Sequence, residues 1–354
     1  MSSARRLLPA VATAACAAVV TAGLAGPATA SHTTGYYDYT SEVVVYDADS
    51  GRQVTIDLTS DASTSTLADR RWSTGWDHVV ALDHGTATGR ATLLYNSTSG
   101  RYAVVNHLPD GRTGTLAQGQ WSRGWDEIIA VFANRYTVGT DEVLLLDSET
   151  GRVVALDTSR LWDGRGFRTL SDDVAAPRGT DVLRGQVGSS DTSLATAGLL
   201  YYDSVNGWYH SSHTDDRRFP VDGTIDVRER SAFVSNRKWS AGWTYIETVE
   251  SDGSYGPETL FYNPATGRAV VRDRSGIGIG SQQPKEANWG SGWKVTVVEI
   301  DNFTDTEVIL YNPDTGRTLI AEIEPDATLR VLSERTWSTG WDAITAIDTE
   351  FAWS

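Results

Sequence analysis

From Ser41 onward the chain alternates short apolar runs with clusters of turn residues. Residues 143–146 (Val-Leu-Leu-Leu) and 153–156 (Val-Val-Ala-Leu) flank a turn from Asp147 to Gly151. Runs this short, bounded by Asp, Ser and Gly, predict strands and not helices. The Asp/Asn-x-x-x-Gly between them is a hairpin signal. The Asp or Asn caps the turn and the glycine takes its left-handed position. Pro264 and Pro313 preset φ just after the capping residue in two copies. Residues 125–131 (Trp-Asp-Glu-Ile-Ile-Ala-Val) predict another strand, and the weaker segment 113–118 a fourth. No window carries apolar residues at helical spacing over a normal helix length.

This unit occurs six times. Its hairpin glycines are Gly51, Gly100, Gly151, Gly207, Gly267 and Gly316, 49 to 60 residues apart. A second element, Trp-x-x-Gly-Trp, appears at Trp72 and Trp76, Trp121 and Trp125, Trp239 and Trp243, Trp289 and Trp293, and Trp337 and Trp341. A sixth copy, residues 176–181 (Ala-Pro-Arg-Gly-Thr-Asp), aligns with 121–126 but lacks both tryptophans. Four strands per repeat of roughly fifty residues predict an all-β, six-bladed β-propeller. The ends are offset. The first strand after Ser41 is the one that elsewhere follows the Trp-Asp strand, and residues 341–347 supply the missing partner. Pairing of the N- and C-terminal strands would therefore close the ring, whereas an open solenoid needs a cap at each end. Two insertions interrupt the regularity, at 158–178 and 211–237. The second, with the adjoining His210, carries His213, Asp215, Asp216, Arg217 and Arg218. Insertions of this kind emerge as loops on one face, often the binding face.

Trp-x-x-Gly-Trp-Asp-x-Ile, then a loop, then Leu-Leu-Tyr-Asp-x-x-x-Gly resembles the repeats of secreted actinobacterial propeller proteins. It is similar to the FG-GAP/VCBS type and to tachylectin-like propeller lectins. The resemblance spans about residues 41–353. It implies the fold more than the function, because such propellers host many roles. In the FG-GAP version the loop before Leu-Leu-Tyr is Asp-rich and binds calcium. The best copy here runs from Asp301 to Glu307 (Asp-Asn-Phe-Thr-Asp-Thr-Glu). No copy has the six to eight oxygen ligands calcium wants, so neither a metal nor a cofactor is assigned.

Residues 1–30 carry Arg5 and Arg6, an Ala/Val/Leu-rich run and a terminal Ala-Thr-Ala. This has the form of a secretory signal. Thr13 argues against lipidation of Cys16, and Pro9 against a twin-arginine signal. The expected organisation is therefore a leader at 1–30 and one propeller domain at 31–354, secreted and extracellular. Removing the leader takes the net charge from −16 to −18 and removes the one cysteine, Cys16. An acidic balance argues against nucleic acid, whose phosphates it repels. No later segment approaches the ~20 apolar residues of a membrane span.

Catalytic signatures are absent. There is no Gly-x-Ser-x-Gly, no His-Glu-x-x-His and no sialidase-like Ser-x-Asp-x-Gly-x-x-Trp. Nothing singles out a carboxylate pair for glycoside cleavage, so no catalytic residue is named. The thirteen tryptophans carry the functional expectation. An indole face stacks on a sugar and its N–H reaches a hydroxyl, and repetition around a ring adds avidity. The ten tryptophans of the five intact pairs are thus candidate carbohydrate-binding residues, with the first ring of each pair the better ligand contact. Their bulk also suits packing between blades. The arginine after the hairpin glycine in five of the six copies (Arg52, Arg101, Arg152, Arg268 and Arg317) has two readings, a ligand clamp or a partner for aspartates such as Asp77 and Asp126. The expected function is non-catalytic, lectin-like binding of extracellular or cell-wall carbohydrate. The alternatives are a polysaccharide-active enzyme with carboxylates in the central channel, and a protein–protein scaffold.

Overall fold

The computed structural model describes residues 41–347 except 84–89, 109–111, 133–140, 175, 189–195, 214–234, 250–257, 274–283, 299 and 301–305. Among the described residues the chain forms six four-stranded antiparallel sheets, the blades of a β-propeller. Blade I joins β24 (Ala343–Ala346) to β1 (Ser41–Tyr46), β2 (Arg52–Leu58) and β3 (Thr64–Arg71). Val43 to Tyr46 pair with Ala346 to Ala343, so the two ends of the chain do close the ring.

The other blades follow in sequence, inner strand first. Blade II has β4 (His78–Asp83), β5 (Arg90–Tyr95), β6 (Arg101–His107) and β7 (Thr113–Gln120). Blade III has β8 (Glu127–Phe132), β9 (Asp141–Asp147), β10 (Arg152–Asp157) and β11 (Arg168–Val174). Blade IV has β12 (Val182–Gly188), β13 (Thr196–Asp203), β14 (Trp208–His213) and β15 (Ser235–Lys238). Blade V has β16 (Tyr245–Val249), β17 (Glu258–Asn263), β18 (Arg268–Asp273) and β19 (Lys285–Asn288). Blade VI has β20 (Lys294–Val298), β21 (Glu307–Tyr311), β22 (Arg317–Ile323) and β23 (Leu329–Thr336). The inner strands β24, β4, β8, β12, β16 and β20 neighbour one another around the central axis.

Burial follows position in the blade. β17 and β21 are buried almost throughout, because adjacent blades cover both faces. Their sequences are accordingly continuous apolar runs. The outer strands β3 and β23 mix half-buried with exposed positions and carry the charges. The segment between β10 and β11 departs from the expected surface loop. Leu161 there is fully buried, and Trp162 and Phe167 pack on the cluster that holds Trp121 and Trp125. Three large apolar side chains draw this insertion into the gap between blades. The leader at 1–30, most of the insertion at 211–237 and residues 301–305 of the acidic loop lie outside the described residues.

Candidate functional site

Each Trp-x-x-Gly-Trp segment bridges the outer strand of one blade and the inner strand of the next. In the first copy Asp47 accepts the backbone N–H groups of Asp49 (2.9 Å) and Ser50 (3.0 Å), shaping the hairpin between β1 and β2. Gly51 follows at φ +71°. The Trp72 N–H donates to the Gly51 carbonyl (2.8 Å), and a side chain at Gly51 would begin 2.4 Å from the Trp72 carbonyl oxygen. Conformation and close approach both require glycine there. The Tyr46 hydroxyl donates to the Ser73 carbonyl (2.8 Å). At the far end Asp77 accepts the Ser97 N–H of blade II (2.6 Å). Trp72 is thus tied to blade I and Trp76 to blade II.

The tyrosine latch recurs. Tyr95, Tyr202, Tyr262 and Tyr311 donate to the carbonyls of Ser122, Ser240, Gly290 and Ser338. Blade III has Leu146 at this position, and it precedes the one bridge without tryptophans. That bridge keeps its backbone bonds, Ala176 to Gly151 (3.0 Å) and Ser204 to the Asp181 carboxylate (2.8 Å).

The second ring of every pair, Trp76, Trp125, Trp243, Trp293 and Trp341, is buried. Each lies near a turn arginine. The guanidinium carbons of Arg101, Arg152, Arg268, Arg317 and Arg52 are 4.5, 5.1, 5.0, 5.5 and 5.2 Å from these ring centroids. Four of the arginines pair with an acid on the outer strand of their own blade. The pairs are Arg52 with Asp69 (2.8 Å), Arg152 with Asp172 (2.7 Å), Arg268 with Glu286 (2.6 Å) and Arg317 with Glu334 (2.7 Å). The expected pairing with the Trp-adjacent aspartates does not occur. Asp77, Asp126, Asp181 and Asp342 accept the N–H groups of Ser97, Ser148, Ser204 and Ala48, which the adjoining hairpin turns direct at them.

The first rings differ among themselves. Trp289 is buried, and its indole N–H donates to the Ala327 carbonyl (2.9 Å). Trp121 is half-buried, stacked on Tyr102 at 4.3 Å and edge-on to Phe167 at 5.1 Å. Trp239 lies against Tyr209 and Phe261 at 3.6 and 4.4 Å. Trp72 and Trp337 are half-buried, with their nearest aromatic neighbours, Tyr46 and Tyr311, at 5.8 and 6.2 Å.

A cleft of about 480 Å³ opens between blades I and II. Trp72 and Trp76 line it together with Arg101, Tyr102, Thr115 and Gln118. Gly119 shapes its wall, since a side chain there would begin 2.8 Å from the Tyr102 ring. The indole N–H groups of Trp72 and Trp76 are buried without a hydrogen-bond partner. Buried donors left unsatisfied cost about 1–3 kcal/mol each. Sequence reasoning found both tryptophans and missed Gln118. The signal was present, because β7 carries a neutral amide where the outer strands of four other blades carry an acid.

The inner strands of blades III, IV and V hold a set of paired charges. Glu127 of β8 and Glu247 of β16 flank Arg184 of β12 at 2.6 and 3.6 Å. The two carboxylates therefore share an arginine placed between them. Among the described residues no group of His, Cys, Asp and Glu is arranged to hold a metal ion. No helix among them is long and apolar enough to cross a membrane.

No protein-family model and no curated protein sequence matches the chain. Solved structures do resemble it. A candidate 6-phosphogluconolactonase from Bacteroides fragilis superposes with a TM-score of 0.50 at 10% identity, covering 89% of this chain and 100% of its own. A second, from Bacteroides uniformis, gives 0.50 at 8% identity over 87% and 99%. AofleA from Arthrobotrys oligospora gives 0.50 at 12% identity over 87% and 89%. At these identities the likeness shows a shared fold and nothing finer, and the count of six blades comes from this chain's own sheets.

Proposed function

We propose that this protein binds carbohydrate outside the cell, without catalysis, in clefts between adjacent blades. The observation that carries the reading is the cleft between blades I and II, where half-buried Trp72, Tyr102 and polar Arg101, Thr115 and Gln118 meet in one concavity. An aromatic wall with a few convergent polar groups suits a sugar ring. Where the first ring of a tryptophan pair is half-buried it is the ligand contact, and the buried second ring is its support. Trp72, Trp121, Trp239 and Trp337 are the half-buried first rings, so no more than four such sites exist.

Titration of the purified protein with a glycan and polysaccharide panel, followed by tryptophan fluorescence, should give a saturable shift. Trp72→Ala should weaken it, and changes near Ala176 should not. A flat response across the panel overturns the reading. A stoichiometry of five or six overturns the assignment of the sites to these four rings.

A further inference from the structure

We infer that the cleft between blades I and II binds a carboxylate-bearing sugar, with Arg101 as the partner of the anion. The sugar half of this inference rests on the carbohydrate reading above. The charge half rests on a separate observation, the pairing of the turn arginines.

In blades I, III, V and VI the turn arginine meets an Asp or Glu on the outer strand at 2.6 to 2.8 Å. The corresponding residue of blade II is Gln118, cross-strand from Ala103 as Asp69 is from Val54 and Glu334 from Leu319. Arg101 has no ion pair or side-chain hydrogen bond among the described residues. The one described contact of its side chain is with the Trp76 ring, at 4.5 Å, closer than in the four other arginine–tryptophan pairs. Among the described residues no carboxylate lines the cleft, and Arg101 is the one charged residue in its lining.

An exposed guanidinium with its donors unspent binds carboxylate in a planar, two-bonded geometry. The Gln118 amide offers further donors and acceptors beside it. The Trp72 indole lines the same cleft and can take an apolar sugar face. A carboxylate attached to a pyranose ring joins these two demands in one molecule. The protein's overall negative charge makes an unneutralised arginine beside an aromatic wall a selective feature for an anion, not part of a general basic patch.

The test is calorimetric titration of the full chain with D-glucuronate, its methyl ester and D-glucose, using wild type, Arg101→Gln and Gln118→Glu. Wild type should bind glucuronate at one site, about tenfold tighter than the ester or glucose, as a charge-assisted pair would give. Arg101→Gln should abolish that preference. Gln118→Glu should abolish it too, by supplying the acid the other blades have while leaving Arg101 in place. Both positions are exposed, and circular dichroism should confirm that both variants fold. Equal affinity for glucuronate and its ester overturns the inference, as does a preference that survives Arg101→Gln. If neutral glycans bind elsewhere on the ring and glucuronate shows no preference, the charge inference alone falls. If glucuronate binds at Arg101 and no neutral glycan binds anywhere, the assignment of sites to Trp121, Trp239 and Trp337 falls and this site stands.

Discussion

The joint between blades I and II and the joint between blades V and VI are built from one motif and end in opposite states. At the second joint Trp289 and Trp293 are both buried. The Trp293 indole donates to the Trp289 carbonyl and the Trp289 indole to the Ala327 carbonyl, each at 2.9 Å. Arg317 is neutralised by Glu334. At the first joint the Trp72 and Trp76 indole N–H groups have no hydrogen-bond partner, and Arg101 has no counter-ion among the described residues. The bridge itself is the same in both. Its backbone bonds to the turn glycine measure 2.8 Å at Trp72 and at Trp289. What differs comes from the third and fourth strands of the following blade. In blade VI the Ala327 carbonyl, between those strands, takes the Trp289 indole N–H, and Glu334 takes Arg317 where blade II has Gln118. The motif therefore builds the joint, and its neighbours decide whether the joint is closed or holds a cleft.

The sharpest way to break this comparison is to delete one first ring from each joint. Trp289→Ala removes a buried, hydrogen-bonded ring and should cost about 3–5 kcal/mol of stability. Trp72→Ala removes a half-buried ring and should cost roughly 1–2 kcal/mol, while taking ligand binding with it. Denaturant melts of the two variants provide the check. Equal losses would mean that Trp72 is as much a packing residue as Trp289, and the first joint would not be a distinct site.

A second contrast lies at the ends of β6 and β22, where His107 and Ile323 occupy corresponding positions, six residues after Arg101 and Arg317. Ile323 is fully buried. His107 is nearly so, its ring 6.2 Å from Trp72 and its Nε2 2.8 Å from the Thr92 hydroxyl. Burial, reinforced by the nearby Arg90 and Arg70, pushes its pKa down from 6.5 to about 4. The unfolded chain takes up a proton as pH falls through 6.5, and the folded chain does so only near 4. Stability should therefore drop across that window, by about 3 kcal/mol, and be unaffected by this group above it. Subtracting the pH profile of His107→Gln from that of wild type should isolate the slope. A flat difference curve would show that the first joint tolerates a charged imidazole.

Much of this was legible in the sequence for a physical reason. Hairpin glycines must admit both a left-handed backbone and a carbonyl at van der Waals distance, so Gly51 and its equivalents mark every blade. The offset of residues 43–46 and 341–347 revealed the closed ring. Even the degenerate bridge at 176–181 carries a second trace, since Leu146 replaces the latching tyrosine in the blade before it. The acid partners of the arginines were harder to read. They lie 17, 20, 18 and 17 residues downstream, because the connection between the third and fourth strands differs in length among the blades, five residues in blades I and VI against ten in blade III. A fixed spacing was therefore not available, and the nearer aspartates looked equivalent. Exposure of the tryptophans was illegible altogether. It depends on residues such as Ala327 and Phe167, which lie far from them in the chain.

The smallest expected effect decides how a free arginine is tolerated at the first joint. Arg152 and Asp172 are bonded twice, at 2.7 Å each, but their side chains are 39% and 46% exposed. Solvent screens such a pair, so a double-mutant cycle on Arg152→Gln and Asp172→Asn should give a coupling of no more than ~1 kcal/mol. The stacking of Arg152 on Trp125 should survive loss of the acid, as that of Arg101 on Trp76 does without one. A weak coupling means that replacing the acid by Gln118 cost blade II little stability, which leaves the unpaired guanidinium open to a binding role. A coupling of several kcal/mol would instead make the pair a structural requirement, and blade II would have to be measurably the weakest blade of the ring.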